Sequence, residues 1–209
     1  EKGIIIQQGF GMTETGPTVF LIDRDHAVSK AGSVGKPVLH TDVCIKDRQG
    51  NVLGPNEVGE LCIRGGNVTR GYWNRPEATA KAIVDGWLHS GDAAKFDEDG
   101  FFYIVDRWKD MYISGGENVY PAEVENVIYQ MEAVAETAVI GIAHPKWQEV
   151  GLALIVLKEG QQLTEQAVID FCQGKLARYK IPKSVKFVDS LPRTAAGKVL
   201  KRELRKEFG

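Results

Sequence analysis

The sequence predicts an α+β protein in two parts, a β-barrel-like subdomain followed by a small α+β domain. Three observations carry this prediction. Up to residue 105, short apolar runs alternate with Gly- and Asp-rich turns. From residue 111 onward, helical periodicity alternates with apolar strands. Between them lies a charged stretch, Asp106-Arg107-Trp108-Lys109-Asp110, so the division reads 1–105, a connector at 106–110, and 111–209.

In the first part, Ile4, Ile5 and Ile6 open as a strand, and a Gly-rich segment follows at 9–16. Val43 and Ile45 mark a second strand, ended by the polar turn 47–51. Leu61-Cys62-Ile63 is a third, closed by Gly65-Gly66, and residues 101–105 form a fourth behind the turn signal 97–100. Such spacing fits a small barrel or an antiparallel sheet. In the second part, Pro121 suits a first helical position, with Val124, Val127, Ile128 and Met131 at helical spacing. Strands are expected at 138–142 and 152–157. Thr164 is placed to cap a helix presenting Val168, Phe171, Cys172 and Leu176. Val185 and Phe187 alternate in a short strand, and Val199, Leu200, Leu204 and Phe208 line a last helix.

Composition narrows the class. With 209 residues, 43% hydrophobic and 26% charged, the chain suits an ordinary globular protein with a buried core. No run approaches the ~18 apolar residues of a membrane span, and Glu1-Lys2 does not open a secretory leader. Three cysteines, an odd number without CxxC spacing, argue against a disulfide framework or a zinc ribbon and for a reducing cytoplasmic setting. The net charge of −2 conceals an asymmetry: from Lys175 onward, eleven Lys/Arg face three Asp/Glu, giving +8 against −10 for the rest. A basic segment of this kind suits an anionic partner, either small-ligand phosphates or a nucleic acid, or else a solvated helix face.

Four segments carry candidate chemistry. In Gly9-Phe10-Gly11-Met12-Thr13-Glu14-Thr15-Gly16, glycines allow close backbone approach, Phe10 offers a flat face, Thr13 a hydroxyl and Glu14 a hard oxygen for Mg²⁺; a loop whose Phe plugs the core is the alternative. In Gly86-Trp87-Leu88-His89-Ser90-Gly91-Asp92, a carboxylate behind a Gly turn can accept two ribose hydroxyls or simply close a turn. The stretch from Tyr103 through Lys109 to Ser114-Gly115-Gly116-Glu117-Asn118 has hinge anatomy, or that of a plain linker. Finally, Pro192-Arg193-Thr194-Ala195-Ala196-Gly197-Lys198 puts a flexible loop before the last helix, and its lysine is a mobile cation or a surface residue.

Taken in order, these segments resemble the adenylate-forming superfamily of acyl- and aryl-CoA synthetases, adenylation domains and luciferases. Gly9-Phe10-Gly11-Met12-Thr13-Glu14 resembles the adenine and Mg²⁺ motif, Ser90-Gly91-Asp92 the ribose motif, Arg107-Trp108-Lys109-Asp110 the hinge and 192–198 the catalytic-lysine motif. Gly71-Tyr72-Trp73-Asn74-Arg75-Pro76-Glu77 and Ser114-Gly115-Gly116-Glu117-Asn118-Val119-Tyr120-Pro121 match blocks between them. The resemblance implies ATP, Mg²⁺ and CoA as ligands and a small-molecule carboxylate as substrate. It gives Phe10, Gly11, Met12, Thr13, Asp92, Arg107 and Lys198 to ATP or AMP, and Glu14 to the metal. Gly115, Gly116 and Glu117 fall on the CoA side, with Lys109 as pivot of a mobile small domain.

The wording is closest to fatty acyl-CoA ligases, with aryl (coumarate-type) ligases as the alternative. A fatty substrate implies fatty acid metabolism and peripheral membrane contact through the acyl chain. No nucleic acid partner is expected; a non-catalytic anion-binding remnant is the reading from another class. The family's phosphate loop has no counterpart in these residues. The expectation is therefore a C-terminal portion of a synthetase, inactive alone and completed by a missing N-terminal part.

Overall fold

A computed structural model describes residues 4–195 and 197–209. Glu1, Lys2 and Gly3 of the opening run, and Ala196 of the 192–198 loop, lie outside the described residues. The chain divides into two compact units, one ending at Lys109 and one beginning at Asp110. The class is α+β throughout.

In the first unit, β1 (Gly9–Phe10), β2 (Phe20–Leu21) and β3 (Lys36–Pro37) form a small antiparallel sheet in that order. A second sheet holds β4 (Thr41–Lys46) and β5 (Gly59–Gly65), then, after helix α1 (Pro76–Ala82), β6 (Ile83–Val84), β7 (Trp87–Phe96) and β8 (Phe102–Arg107). Its order is β4-β5-β7-β6, with β8 also on β7. The two sheets meet at Phe102, whose carbonyl accepts from the Val34 N–H at 2.9 Å and from the Ser33 hydroxyl at 2.8 Å. Between them lies one core of Val19, Phe20, Val34, Ile45, Leu61, Ile63, Ala94 and Phe102. Among the described residues no ladder joins β4 back to β1, so the sheets stay open rather than closing a barrel.

Two local expectations need correction, and one helix was not foreseen. Ile4 and Ile6 are 75% and 81% exposed and form no strand, because no ladder partner meets them; the first paired residues are Gly9 and Phe10. Residues 86–92 are not one turn: only Asp85 and Gly86 turn, and from Trp87 they belong to the ten-residue strand β7. Helix α1, opened by Pro76, has no buried residue and so no apolar periodicity to betray it.

The polar turn at 47–51 does form, with the Asp47 carboxylate accepting from the backbone N–H groups of Gln49 and Asn51. At 97–100, Asp97 accepts from the N–H of Phe101 at 2.9 Å and from Lys30 Nζ at 2.8 Å. Burial alone would raise the Asp97 carboxyl, but Lys30 and Phe101 outweigh it and hold it near 2.

The second unit contains β9 (Tyr112–Ser114), β10 (Glu117–Val119), α2 (Pro121–Ile128), β11 (Val134–His144), β12 (Gln148–Leu157), α3 (Glu165–Cys172), β13 (Ser184–Phe187) and α4 (Lys201–Phe208). Sheet order is β10-β9-β12-β11, with β13 parallel to β12. Residues on successive positions of β11 and β12 face opposite ways. Val139, Ala153 and Ile155 therefore pack with Val124, Ile128, Val168 and Cys172 of α2 and α3, while Ala138, Ile140, Leu152 and Leu154 pack with Leu204 of α4. Both faces are covered, which is why these strands read as continuous apolar runs.

Thr164 caps α3 as expected, its hydroxyl accepting from the Ala167 N–H at 3.2 Å. The last helix starts later than the apolar spacing implies. Val199 bridges to Arg193, and Leu200 only precedes the first helical residue, Lys201.

Six of the eleven cations beyond residue 174 lie in ion pairs within this unit: Lys180–Glu123, Arg193–Glu136, Lys201–Glu125, Arg205–Asp110, and Arg202 and Lys206 with Glu203. Arg205 donates to both the carboxylate and the carbonyl of Asp110, each at 3.0 Å. Much of the basic segment thus neutralises its own unit. No helix of the described residues is long and apolar enough to cross a membrane.

Tyr112 is 2% exposed and fills a slot made by two glycines paired across the hairpin, Gly141 and Gly151. A Cβ on either would collide with the tyrosine, at its Cβ or its hydroxyl respectively. Gly151→Ala should therefore cost about 1–3 kcal/mol by overpacking, read as a lower urea midpoint at unchanged slope. A second expectation concerns acid. The Asp97 carboxyl sits below its ordinary 3.8 in the folded state, so its contribution is complete above about 4 and is lost as pH falls toward 2. Lys30→Met should flatten that acid limb in a pH series of unfolding midpoints.

Candidate active site

The Gly-rich segment folds as the end of β1 and a single 3₁₀ turn, Thr13–Thr15. Thr15, which sequence reasoning passed over, is fully buried; its hydroxyl donates to the Met12 carbonyl at 3.0 Å and accepts from the Met12 N–H at 3.2 Å. That clamp leaves Thr13 exposed and Glu14 half-buried. The Glu14 carboxylate accepts from the Tyr72 hydroxyl at 2.9 Å, and its carbonyl from the Thr69 N–H at 2.7 Å. Sharing its proton with Glu14 raises the Tyr72 phenol. Glu14 is thus an oriented, solvent-reachable oxygen donor, and a hard divalent cation fits it.

Two of the expected residues also have packing roles of their own. Gly11 is required by its own chain, since a Cβ there would collide with the Pro17 carbonyl. Phe10 sits half-buried at the edge of the core, 6.1 Å centroid to centroid from Phe20.

Asp92 owes its position to a break in register. On β5, Glu60 pairs with Ala93 and Cys62 with His89, so residues 90–92 bulge from β7 opposite a single residue, Leu61. Gly91 takes φ +73° in the bulge, and its N–H is held by Glu60 Oε1 at 3.1 Å. Asp92 then pairs with Arg107 across β7 and β8, Nε to Oδ1 3.2 Å. The carboxylate is 7% exposed and the guanidinium 51%, so a buried acceptor is joined to an accessible cation. The structure brings these two predicted residues together.

In the second unit, Gly115 and Gly116 turn the β9–β10 hairpin with φ of +62° and +89°, conformations that favour glycine. The Gly115 N–H bonds to the Trp147 carbonyl at 3.0 Å. Beside this turn opens a cavity of about 580 Å³, to which Ser114, Gly115 and Glu117 contribute one wall. Trp147 and Tyr179 supply aromatic faces, and Lys146, Arg178 and Lys183 supply three cations. Sequence reasoning missed these five. Their signal was an aromatic beside a basic residue, in Lys146-Trp147 and in Arg178-Tyr179, at places far apart in the chain.

Lys198 is exposed on a loop closed by paired backbone bonds with Thr194 and by the Leu200 N–H to the Pro192 carbonyl at 2.8 Å. Arg193 reaches back to the Gly197 carbonyl and pairs with Glu136 of β11 at 2.7 Å. Lysine thus stands on a tethered loop, three residues before the last helix. Lys109 is exposed in the one-turn segment Trp108–Asp110, at the junction of the units.

Residues 1–73 match the family described as AMP-binding enzyme, and residues 123–198 match the AMP-binding enzyme C-terminal domain. A feruloyl-CoA synthase of Amycolatopsis is 49% identical over all 209 residues, and a 2-succinylbenzoate–CoA ligase of Geobacillus kaustophilus is 47% identical over 206 residues, 99% of this chain. The chain spans 43% and 42% of their lengths. Among solved structures, the o-succinylbenzoate CoA synthetase of Bacillus subtilis in complex with its acyl-adenylate intermediate matches with a TM-score of 0.90 and 40% identity, over 98% of this chain and 42% of that one. That enzyme has also been solved with ATP and a magnesium ion. The chain belongs to the adenylate-forming superfamily of AMP-binding enzymes. None of these three relatives is named for a fatty acid, the substrate suggested by sequence wording.

Gly11→Ala tests whether that glycine serves packing. It should destabilise the first unit by about 1–3 kcal/mol in urea unfolding, whereas Thr13→Ala, on the exposed side of the same turn, should stay within about 0.5 kcal/mol.

Proposed function

We propose that this chain supplies the nucleotide-handling and thiol-handling residues of an ATP-dependent, AMP-forming carboxylate–CoA ligase acting on an aromatic acid. The observation carrying this reading is the buried Asp92 carboxylate paired with Arg107 on the β7 bulge, in a chain alike over nearly its whole length to a synthetase solved with its acyl-adenylate. Feruloyl and 2-succinylbenzoyl, the groups naming the relatives, favour an aromatic substrate.

In this reading Asp92 accepts the ribose hydroxyls, and Arg107 holds the carboxylate while contacting the nucleotide. Thr13 donates to the α-phosphate, and Phe10, Gly11 and Met12 border the base. Glu14, oriented by Tyr72, holds Mg²⁺, which when bound offsets phosphate charge. The carboxylate substrate is an anion approaching a polyanion, so Lys198 on its tethered loop supplies the cation that offsets repulsion as the acyl–phosphate bond forms and pyrophosphate leaves. The CoA thiol then attacks the acyl carbonyl and expels AMP.

For that second step, Gly115 and Gly116 leave room for the pantetheine arm beside Glu117. Lys146, Arg178 and Lys183 suit CoA phosphates, and Trp147 and Tyr179 suit its adenine. Lys109 is the pivot about which the second unit reorients between the two steps.

These roles separate kinetically in a chain of the relatives' full length carrying these residues. Lys198→Ala should slow adenylation by about 100-fold or more, while thioester formation from supplied adenylate stays nearly unchanged; equal loss in both steps would reject the role of Lys198. Arg178→Ala should raise KM for CoA about 10-fold, as expected on losing one charge-assisted bond, leaving carboxylate-dependent pyrophosphate release intact. Across a panel, aromatic acids should release pyrophosphate faster than fatty acids. The reverse order would reject the aromatic assignment.

A further inference from the structure

On the outer face of the first unit's larger sheet, four ligand-type side chains lie side by side. Cys44, Cys62 and His89 form a row across β4, β5 and β7, because Cys44 pairs with Cys62 and Cys62 with His89. Glu60 lies two residues before Cys62 and therefore on the same face. His89 Nδ1 is 2.7 Å from Glu60 Oε2 and 3.7 Å from Cys62 Sγ, and one ligand atom from each of the three lies within 4.8 Å of the others. Cys44 is the cross-strand neighbour of Cys62 on β4. None of these residues has a part in the proposed ligase steps, and this inference does not depend on them.

From this juxtaposition we infer a divalent transition-metal site of the zinc type, with Cys62, His89 and Glu60 as ligands and the fourth position open to solvent.

Geometry supports a tetrahedral ion. Bonds of about 2.3 Å to sulfur and 2.0 Å to nitrogen or oxygen imply ligand edges of about 3.5 Å for S···N and 3.3 Å for N···O. The first edge is nearly present at 3.7 Å. The second requires the His89–Glu60 hydrogen bond to open by about 0.6 Å as the metal replaces the shared proton.

An outer shell is also in place. Glu60 Oε1, the oxygen turned from the cluster, accepts the Gly91 N–H at 3.1 Å, the kind of bond that orients a ligating carboxylate. Cys62 is fully buried, whereas the His89 side chain is 27% exposed, which provides a solvent path.

Charge is consistent as well. One thiolate, one carboxylate and a neutral imidazole balance a dication. A mixed thiolate–imidazole–carboxylate set selects zinc or cobalt over magnesium, which prefers oxygen alone.

The test is a Co²⁺ titration of the reduced, metal-stripped protein, with Zn²⁺ competition. One equivalent should produce thiolate-to-cobalt charge transfer and tetrahedral visible bands that excess Mg²⁺ does not remove. Cys62→Ser and His89→Gln should each weaken binding by more than the about 10–100-fold that follows loss of an outer partner. Cys172→Ala, in the other unit, should leave the bands intact. Circular dichroism of each metal-free variant separates a lost ligand from a lost fold, and His89→Gln, at a partly exposed position, is the milder substitution. Absence of the bands in the wild-type protein, or unchanged titrations in folded Cys62→Ser and His89→Gln, would overturn the assignment.

Discussion

The first unit depends on one register break. β7 carries three residues opposite one on β5 and shifts again against β8 between Ala93 and Ala94. Without those shifts, period-two alternation would fix the facing of every side chain from Trp87 to Phe96. With them, Leu88 and Ala94 remain in the core while Asp92 is delivered to Arg107. The break is itself held by a carboxylate, since Glu60 ties the Gly91 N–H with one oxygen and His89 with the other. The Asp92–Arg107 pair and the Glu60, Cys62 and His89 cluster are therefore two sides of one irregularity.

The second unit solves a different problem. Its hairpin is buried on both faces, so each face needs separate cover, and helices from distant parts of the chain supply it. The basic C-terminal residues belong to that cover. Lys201 lies with Glu125, whose carboxylate also accepts the Val139 N–H at 2.7 Å, so a helix, a strand and a cation share one half-buried acceptor.

Much of this was legible in the sequence, and the failures have specific causes. Pro121, Thr164 and the apolar runs of β11 and β12 mark elements by local chemistry, and local chemistry survives folding. The motif residues Asp92 and Arg107 were recognisable, but β7 was not, because a glycine in a bulge is indistinguishable from one in a turn. Ile4 to Ile6 read as a strand although a strand exists only with a neighbour. The room that Gly11 makes for the Pro17 carbonyl could not be read from spacing. The Cys44, Cys62 and His89 row was invisible for a deeper reason: its spacing is fixed by strand pairing, so no interval along the chain encodes it. The substrate was not legible, because no residue in these segments distinguishes an aromatic from a fatty acyl group.

The clamp of Arg205 on Asp110 bears on how the protein is made. Its two members are 95 residues apart, joining the first residue of the second unit to its last helix. During synthesis from the N-terminal end, Asp110 has already left the ribosome long before its partner exists. The first residue of this unit therefore gains its partner only once the helix 95 residues further on has been made.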